Sequence, residues 1–209
     1  PTPNSDTIAS EGIHFTNGYA GNGTCAPSRA ALLTGRFATR SGFEFTPARP
    51  EFAQMTAGDA YIKENAEGYP PSDTLGLPSS ELTLPELLKK RGYHSVAVGK
   101  WHLGEAEGLR PLDQGFNEFL GFLPGAAMFL PEDDPDVVNS KQDFDPIDRF
   151  LWPNLSYAVR HNNSDRFRPD SHMTDCFSRQ AAKVIKANRT RPFFSYLAYN
   201  PPHTPPHAD

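Results

Sequence analysis

The chain has 209 residues, 37% of them hydrophobic and 22% charged, which suffices for one sizeable core in a globular protein. A net charge of −5 offers no broad basic surface, which excludes nucleic acid as an expected partner while leaving room for local basic pockets that take an anionic substrate. No membrane span is expected, because no run approaches the roughly 20 apolar residues that cross a bilayer; nor do the first residues carry the apolar core of a signal peptide, although Pro1 is not a natural start.

In chain order, Pro1 to Phe15 reads as a turn, a short helix over Ser5 to Glu11 and a strand at Ile13 to Phe15. Gly21 and Gly23 then lead to Cys25, and Pro27 and Ser28 start a short helix that Gly35 ends. A clearer helix has Thr83 as N-cap, Glu86 three residues on, an apolar stripe of Leu84, Leu87 and Leu88, and Gly92 as its stop. Directly after it, Ser95 to Val98 reads as a buried strand. The pattern returns near the end, where Phe177, Ala181, Val184 and Ile185 mark a helix face before the apolar strand Phe193 to Tyr199. Helix then strand, twice, predicts an α/β fold with a mainly parallel sheet. Two long stretches, 37–80 and 104–169, hold much of the chain's 21 prolines and read as pocket-shaping loops with short elements that periodicity does not resolve.

Two cysteines, Cys25 and Cys176, cannot make a disulfide framework, and a single bridge between them is the plain alternative to two free thiols. Four Asn-x-Ser/Thr sequons begin at Asn22, Asn154, Asn162 and Asn188, which suits an exported protein, although such triplets also arise by chance.

The chemistry concentrates in three segments. In Cys25-Ala26-Pro27-Ser28-Arg29 through Thr34-Gly35-Arg36, a helix start sets Cys25 beside free backbone N–H groups, with Arg29 one turn in to grip an oxyanion. From spacing alone, a buried, inert Cys in a loop with a surface Arg is the favoured reading. In the segment from Gly92 to His102, Gly99, Lys100 and His102 fall just past a buried strand, where α/β sheets bind ligands. The plain alternative is a solvated Lys and a hydrogen-bonded His. The strand Pro192 to Tyr199 delivers His203 within Asn200-Pro201-Pro202-His203-Thr204-Pro205, which is otherwise a structural turn. His207 is expected to be solvated. The acids Glu132, Asp133, Asp134 and Asp136 read as a solvated loop rather than a calcium site. His161 and His172, with Arg160, Arg166 and Arg168, read as an exposed polar loop or part of an anionic-substrate subsite.

The first segment matches the sulfatase signature C-x-P-S-R followed by T-G-R at every defining position. The second resembles that family's G-Y-x-T-x-x-x-G-K-x-H, with Ser95 in place of Thr, and the third its strand followed by P-H-x-P. The resemblance runs from Thr2-Pro3-Asn4 to the final histidine loop. It implies a partial catalytic domain, residues 1–209, of an alkaline-phosphatase-like α/β fold with a mixed, mostly parallel sheet flanked by helices, internal to a longer protein.

It further implies hydrolysis of a sulfate ester of a sugar or aryl alcohol. Cys25 is then oxidised by a formylglycine-generating enzyme or equivalent maturase to formylglycine, whose hydrate attacks the sulfur and later releases the sulfate. Arg29 and Lys100 would stabilise charge, His102 would assist turnover, and His203 would protonate the leaving alcohol. Calcium is the implied cofactor, with the modified Cys25 as one ligand and the others outside this chain, so the isolated piece is expected to be inactive. Export or a lysosomal location follows from the same resemblance. The chain departs from some relatives at Gly125, Ala126 and Ala127, where a polar or His side chain often reaches the sulfate. Competing readings are a phosphonate monoester or phosphodiester hydrolase with the same nucleophile, or a non-catalytic glycan-binding relative.

Overall fold

The structure is a computed structural model and describes residues 2–56, 67–131, 133–135, 137–204 and 207–208. Its helices are α1 (Pro3–Glu11), α2 (Cys25–Thr34), α3 (Ala38–Ser41), α4 (Pro50–Thr56), α5 (Leu84–Lys89), α6 (Pro146–Asn154) and α7 (Met173–Asn188). The strands are β1 (His94–Lys100), β2 (Glu118–Phe122), β3 (Val138–Asn139), β4 (Arg160–His161), β5 (Phe193–Ala198) and β6 (His207–Ala208).

Four strands form one sheet in the order β4-β2-β1-β5. The central β1 is parallel to both β2 and β5, and β4 runs antiparallel at the edge. β3 and β6 pair separately as a short antiparallel ribbon. The predicted helix-strand repeats account for β1 and β5. β2 lies in the long 104–169 stretch and was not expected, since its five residues include Gly121 and no periodic helix follows directly.

The sheet is covered on both faces, as parallel strands require. Alternation along β1 assigns each face its core: Val96 and Val98 join Leu120, Phe122, Met173, Phe177 and Val184 on the α7 side. Ala97 points the other way and joins Ala26, Ala30 and Leu33 of α2, together with Phe43, Leu77, Trp101 and Phe119. Burying a Phe or Leu side chain contributes roughly 1.5–3 kcal/mol, so these two clusters hold α2 and α7 against the sheet.

Close backbone approach narrows the centre of the sheet. Gly99 pairs with Gly121 on one side and Ala198 on the other. It has φ +106°, and a Cβ there would lie 2.0 Å from the Ala198 carbonyl oxygen. Only glycine fits that position.

Some expected elements differ. Residues Ile13–Phe15 form no strand, and Ile13 and Phe15 are exposed, because nothing in the described chain packs against them. β1 extends two residues further than predicted, so Gly99 and Lys100 belong to the strand and only His102 lies past it. α2 begins at Cys25 itself, earlier than Pro27. At α5 the Glu86 carboxylate accepts from the Thr83 N–H at 2.7 Å and from its hydroxyl at 2.9 Å, which fastens the predicted helix start.

Candidate active site

α2 starts where Asn22 Oδ1 accepts from the Thr24 N–H at 2.9 Å and from its hydroxyl at 2.8 Å, pinning the turn before Cys25. Thr24 is extended, Cys25 is the first helical residue, and Gly35 closes the helix at φ 66°. The Cys25 side chain therefore sits at a helix N-terminus, the end that favours negative charge.

Arg29 lies one turn further on, and its Nη1 donates to the Lys100 carbonyl oxygen at 2.9 Å and to the Tyr196 hydroxyl at 3.1 Å. The guanidinium thus ties α2 to the C-terminal ends of β1 and β5. That nitrogen is committed to the scaffold. Tyr196 was not anticipated as its partner, because only the sheet register brings β5 beside β1 at this level.

Lys100 ends β1 and is 3% exposed. Burial pulls its ammonium down to about 8; Arg29 adds to that, while Cys25 opposes it. His102 follows at φ 61°, 4% exposed, its backbone N–H donating to Leu123 O at 2.9 Å. Backbone in this region costs a non-glycine residue roughly 1–3 kcal/mol and recurs at functional sites. Neither imidazole nitrogen has a hydrogen-bond partner of normal geometry among the described residues. Burial keeps the ring basicity low, opposed by Cys25 and reinforced by Lys100.

Gly125 explains how the ring is seated. A Cβ at this position would come within 2.7 Å of His102 Nε2. The absence of a side chain at Gly125 lets the backbone lie close against the imidazole.

His203 is half-buried, and its Nδ1 lies 2.7 Å from the Thr204 carbonyl oxygen. If Nδ1–H donates there, Nε2 is left for other chemistry. The turn is held by Asn200, whose Nδ2 donates to Ala127 O at 2.8 Å and whose carbonyl accepts from the His203 N–H at 3.1 Å. Asn200 was also missed by sequence reasoning, since an Asn before prolines reads simply as a turn.

These groups act together on Cys25. Burial alone would raise its thiol, but hydrogen bonding to His102 and His203 and the charges of His102 and Lys100 outweigh it and bring it down to about 4. The sulfur stands in for any anionic side-chain atom at that position. Cys176, in α7, is raised by burial, and both cysteines are free, so the single bridge is not formed.

Cys25, His102 and His203 line one cavity of about 490 Å³, within the usual size of small-ligand sites. Glu105 is the one carboxylate on its wall among the described residues. Lys100 and Arg29 are not among its lining residues, and Arg29 lines a separate cavity with Tyr196. No group of three or more His, Cys, Asp or Glu that could hold a metal occurs among the described residues. With a single carboxylate present, these residues do not by themselves fit a hard cation, which takes six or so oxygen ligands.

The remaining candidates are structural or lie elsewhere. His172 caps α7, accepting from the Thr174 N–H at 3.2 Å and stacking on Phe129. His161 is exposed on β4. Of the acidic loop, Glu132 and Asp136 fall outside the described residues, and Asp133 faces Arg168 at 3.8 Å. His207 contributes its backbone to β6. The sequon at Asn188 is closed: the side chain is 2% exposed and donates to Val184 O at 2.8 Å.

The family model described as Sulfatase matches residues 1–209. The chain belongs to the sulfatase family. It is 38% identical over 210 residues to the N-acetylgalactosamine-6-sulfatase of Homo sapiens, an alignment covering 99% of this chain and 36% of that protein. It is 34% identical over 209 residues to an arylsulfatase of Hemicentrotus pulcherrimus, covering 95% and 32%. This sulfatase chain thus spans about a third of the length of the curated relatives it matches. Among solved structures, Ps i-CgsB in complex with k-i-k-neocarrahexaose superposes with a TM-score of 0.72 at 28% identity, over 98% of this chain and 40% of that one. The fold is of the alkaline-phosphatase-like type, a mixed, mostly parallel sheet flanked by helices. No helix among the described residues is long and apolar enough to cross a membrane.

Proposed function

We propose that the protein containing this chain hydrolyses sulfate esters of saccharides, using formylglycine derived from Cys25. The observation that carries this reading is the convergence on one side chain, at a helix N-terminus, of Lys100, His102 and His203, which together hold negative charge there. A formylglycine hydrate at that position supplies a nucleophilic oxygen for sulfur and a second hydroxyl through which the aldehyde is restored. The buried imidazole of His102 fits it, since its side chain bonds to that of Cys25, where such hydroxyls would sit.

Lys100 holds positive charge against the sulfate oxygens as they gain electron density. Arg29 adds its field and fixes the Lys100 backbone through Nη1. His102 takes a proton from, and returns it to, the hydroxyl beside it. His203, anchored through Nδ1, presents Nε2 to the departing alcohol oxygen and donates a proton there when doubly protonated.

Saccharide rather than simple aryl sulfates is supported by the relatives: one is an N-acetylgalactosamine-6-sulfatase, and one solved neighbour is in complex with k-i-k-neocarrahexaose. Calcium with ligands beyond these residues, a formylglycine-generating maturase and an exported or lysosomal location complete the proposal.

Mass spectrometry of the Cys25 peptide, after expression of the complete protein with a formylglycine-generating enzyme, tests it directly. The aldehyde is expected; cysteine left intact in an active preparation overturns the nucleophile assignment. A complete, matured protein that cleaves a phosphodiester clearly better than the sulfate ester of the same alcohol overturns the substrate assignment.

A further inference from the structure

A second cavity, of about 200 Å³, shares Glu105, Pro124, Ala126, Asn154 and Leu155 with the cavity at Cys25, so the two are contiguous along one wall. Arg160 and Arg166 line the second cavity and not the first. Their placement is rigid. Arg160 belongs to β4 and pairs with Gly121 of β2. Beyond it the chain turns through Asn162, whose Oδ1 accepts from the Phe119 N–H at 2.8 Å, and comes back so that Val159 and Phe167 exchange backbone hydrogen bonds of 2.9 and 2.8 Å. Arg160 and Arg166 are the next residues inward from that bridge on its two arms, and both line the second cavity.

Like charges facing across a strand pair are destabilising unless something neutralises them. Among the described residues, neither guanidinium takes part in a hydrogen bond or ion pair. A third cation, Arg110, is fixed nearby through its Nε, which donates to Glu105 O at 2.8 Å. Glu105 lies on the same wall: burial raises its carboxyl, while Arg160, Arg166 and Arg110 act against that rise. Arg160 is itself lowered, first by burial and then by Arg110 and Arg166, with Glu105 and Asp165 acting the other way. Two forked donors on a sheet edge, unpaired and lining a cavity, are suited to a planar or tetrahedral oxyanion.

We infer that Arg160 and Arg166 form a second anion subsite, which binds a sulfate or carboxylate on the same saccharide whose sulfate ester lies at Cys25, so that the protein selects multiply anionic glycans. This rests on the sulfatase reading for the position of the first sulfate. Glu105, on the shared wall, is placed to accept from a sugar hydroxyl between the two anions.

The test uses the complete protein carrying Cys25→Ala, so that no turnover occurs, and measures calorimetric binding of three disaccharides at low ionic strength. One bears a single sulfate, one a second sulfate on the neighbouring sugar, and one a carboxylate there. The second anion is expected to raise affinity about tenfold or more, and the comparison of its two forms identifies the preferred group. Adding Arg160→Ala with Arg166→Ala should cancel that gain while the monosulfated disaccharide still binds; the paired lysine variants should recover part of it, since lysine keeps charge but loses the fork. The inference is overturned if no disaccharide binds, if all three bind alike, if the gain survives in the double alanine variant, or if that variant also loses the monosulfated ligand. Failure of the sulfatase reading is separate: matured protein releases no sulfate from any of the three while this binding pattern holds.

Discussion

Arg29 Nη1 and the carbonyl oxygen of Lys100 lie 2.9 Å apart, so the helix that carries Cys25 and the strand that carries Lys100 are locked by one hydrogen bond. The same nitrogen reaches the Tyr196 hydroxyl at 3.1 Å, bringing β5 into the lock. The signature arginine is therefore as much a positioning residue as a source of charge.

Arg29→Ala should destabilise the complete protein by about 1.5–3 kcal/mol, the usual worth of hydrogen bonds to a charged group, read as a shift in urea midpoint without a change in slope. Tyr196→Phe removes only the weaker arm and should cost about 1 kcal/mol. Equal effects of the two would show that the Lys100 carbonyl contact contributes little.

Gly125→Ala should leave the fold intact and damage turnover. The added methyl meets His102 Nε2 at 2.7 Å and must move the ring, which is the softer partner. Misplacing a reacting group by about 1 Å costs around 10²-fold, so kcat should fall by one to two orders of magnitude with an unfolding midpoint near that of the parent. An unchanged kcat would mean that the ring position does not matter to the chemistry.

In protein made without the converting enzyme, Cys25 carries a thiol lowered to about 4. Being a group whose charged form is favoured, it is anionic at every pH above that value. Its alkylation by iodoacetamide should be nearly independent of pH from about 6 to 8, while Cys176, raised by burial, should react faster as pH climbs towards and past 9. Parallel pH profiles for the two thiols would contradict the electrostatics described for the site.

His203→Ala should discriminate between leaving groups. An aryl alcohol departs without much help from a proton, whereas a sugar alcohol needs one. The loss in kcat should therefore be small for an aryl sulfate and about 10²–10⁴-fold for a sugar sulfate, the range typical of a general acid. Uniform losses on both substrates would point to a binding role instead.

Expressed through a secretory pathway, folded protein should carry no glycan at Asn188, whose side chain is buried and whose Oδ1 accepts from Arg191 Nε. Glycopeptide mass spectrometry reads this site by site. Full occupancy at Asn188 would require a different arrangement of the α7 terminus.

Local sequence determined the parts whose signals are short-range. The Cys25-x-Pro-Ser-Arg segment, the Thr83 and Glu86 helix start, and the apolar strands that became β1 and β5 were legible because capping, periodicity and turn chemistry act within a few residues of each other. The resemblance to the sulfatase signatures named Cys25, Lys100, His102 and His203 together, and the fold sets the other three around Cys25, although their spacing alone left a plain structural reading open. Tertiary structure decided what depends on register between distant strands. It brought Tyr196 to Arg29, set Gly125 against the His102 ring, inserted β2 beside β1, and put Arg160 and Arg166 on a cavity that shares a wall with the one at Cys25. It also left Ile13 to Phe15 without strand pairing. None of these has a local signal, because each is fixed by which backbone lies next to which, and that is set by the packing of the whole sheet.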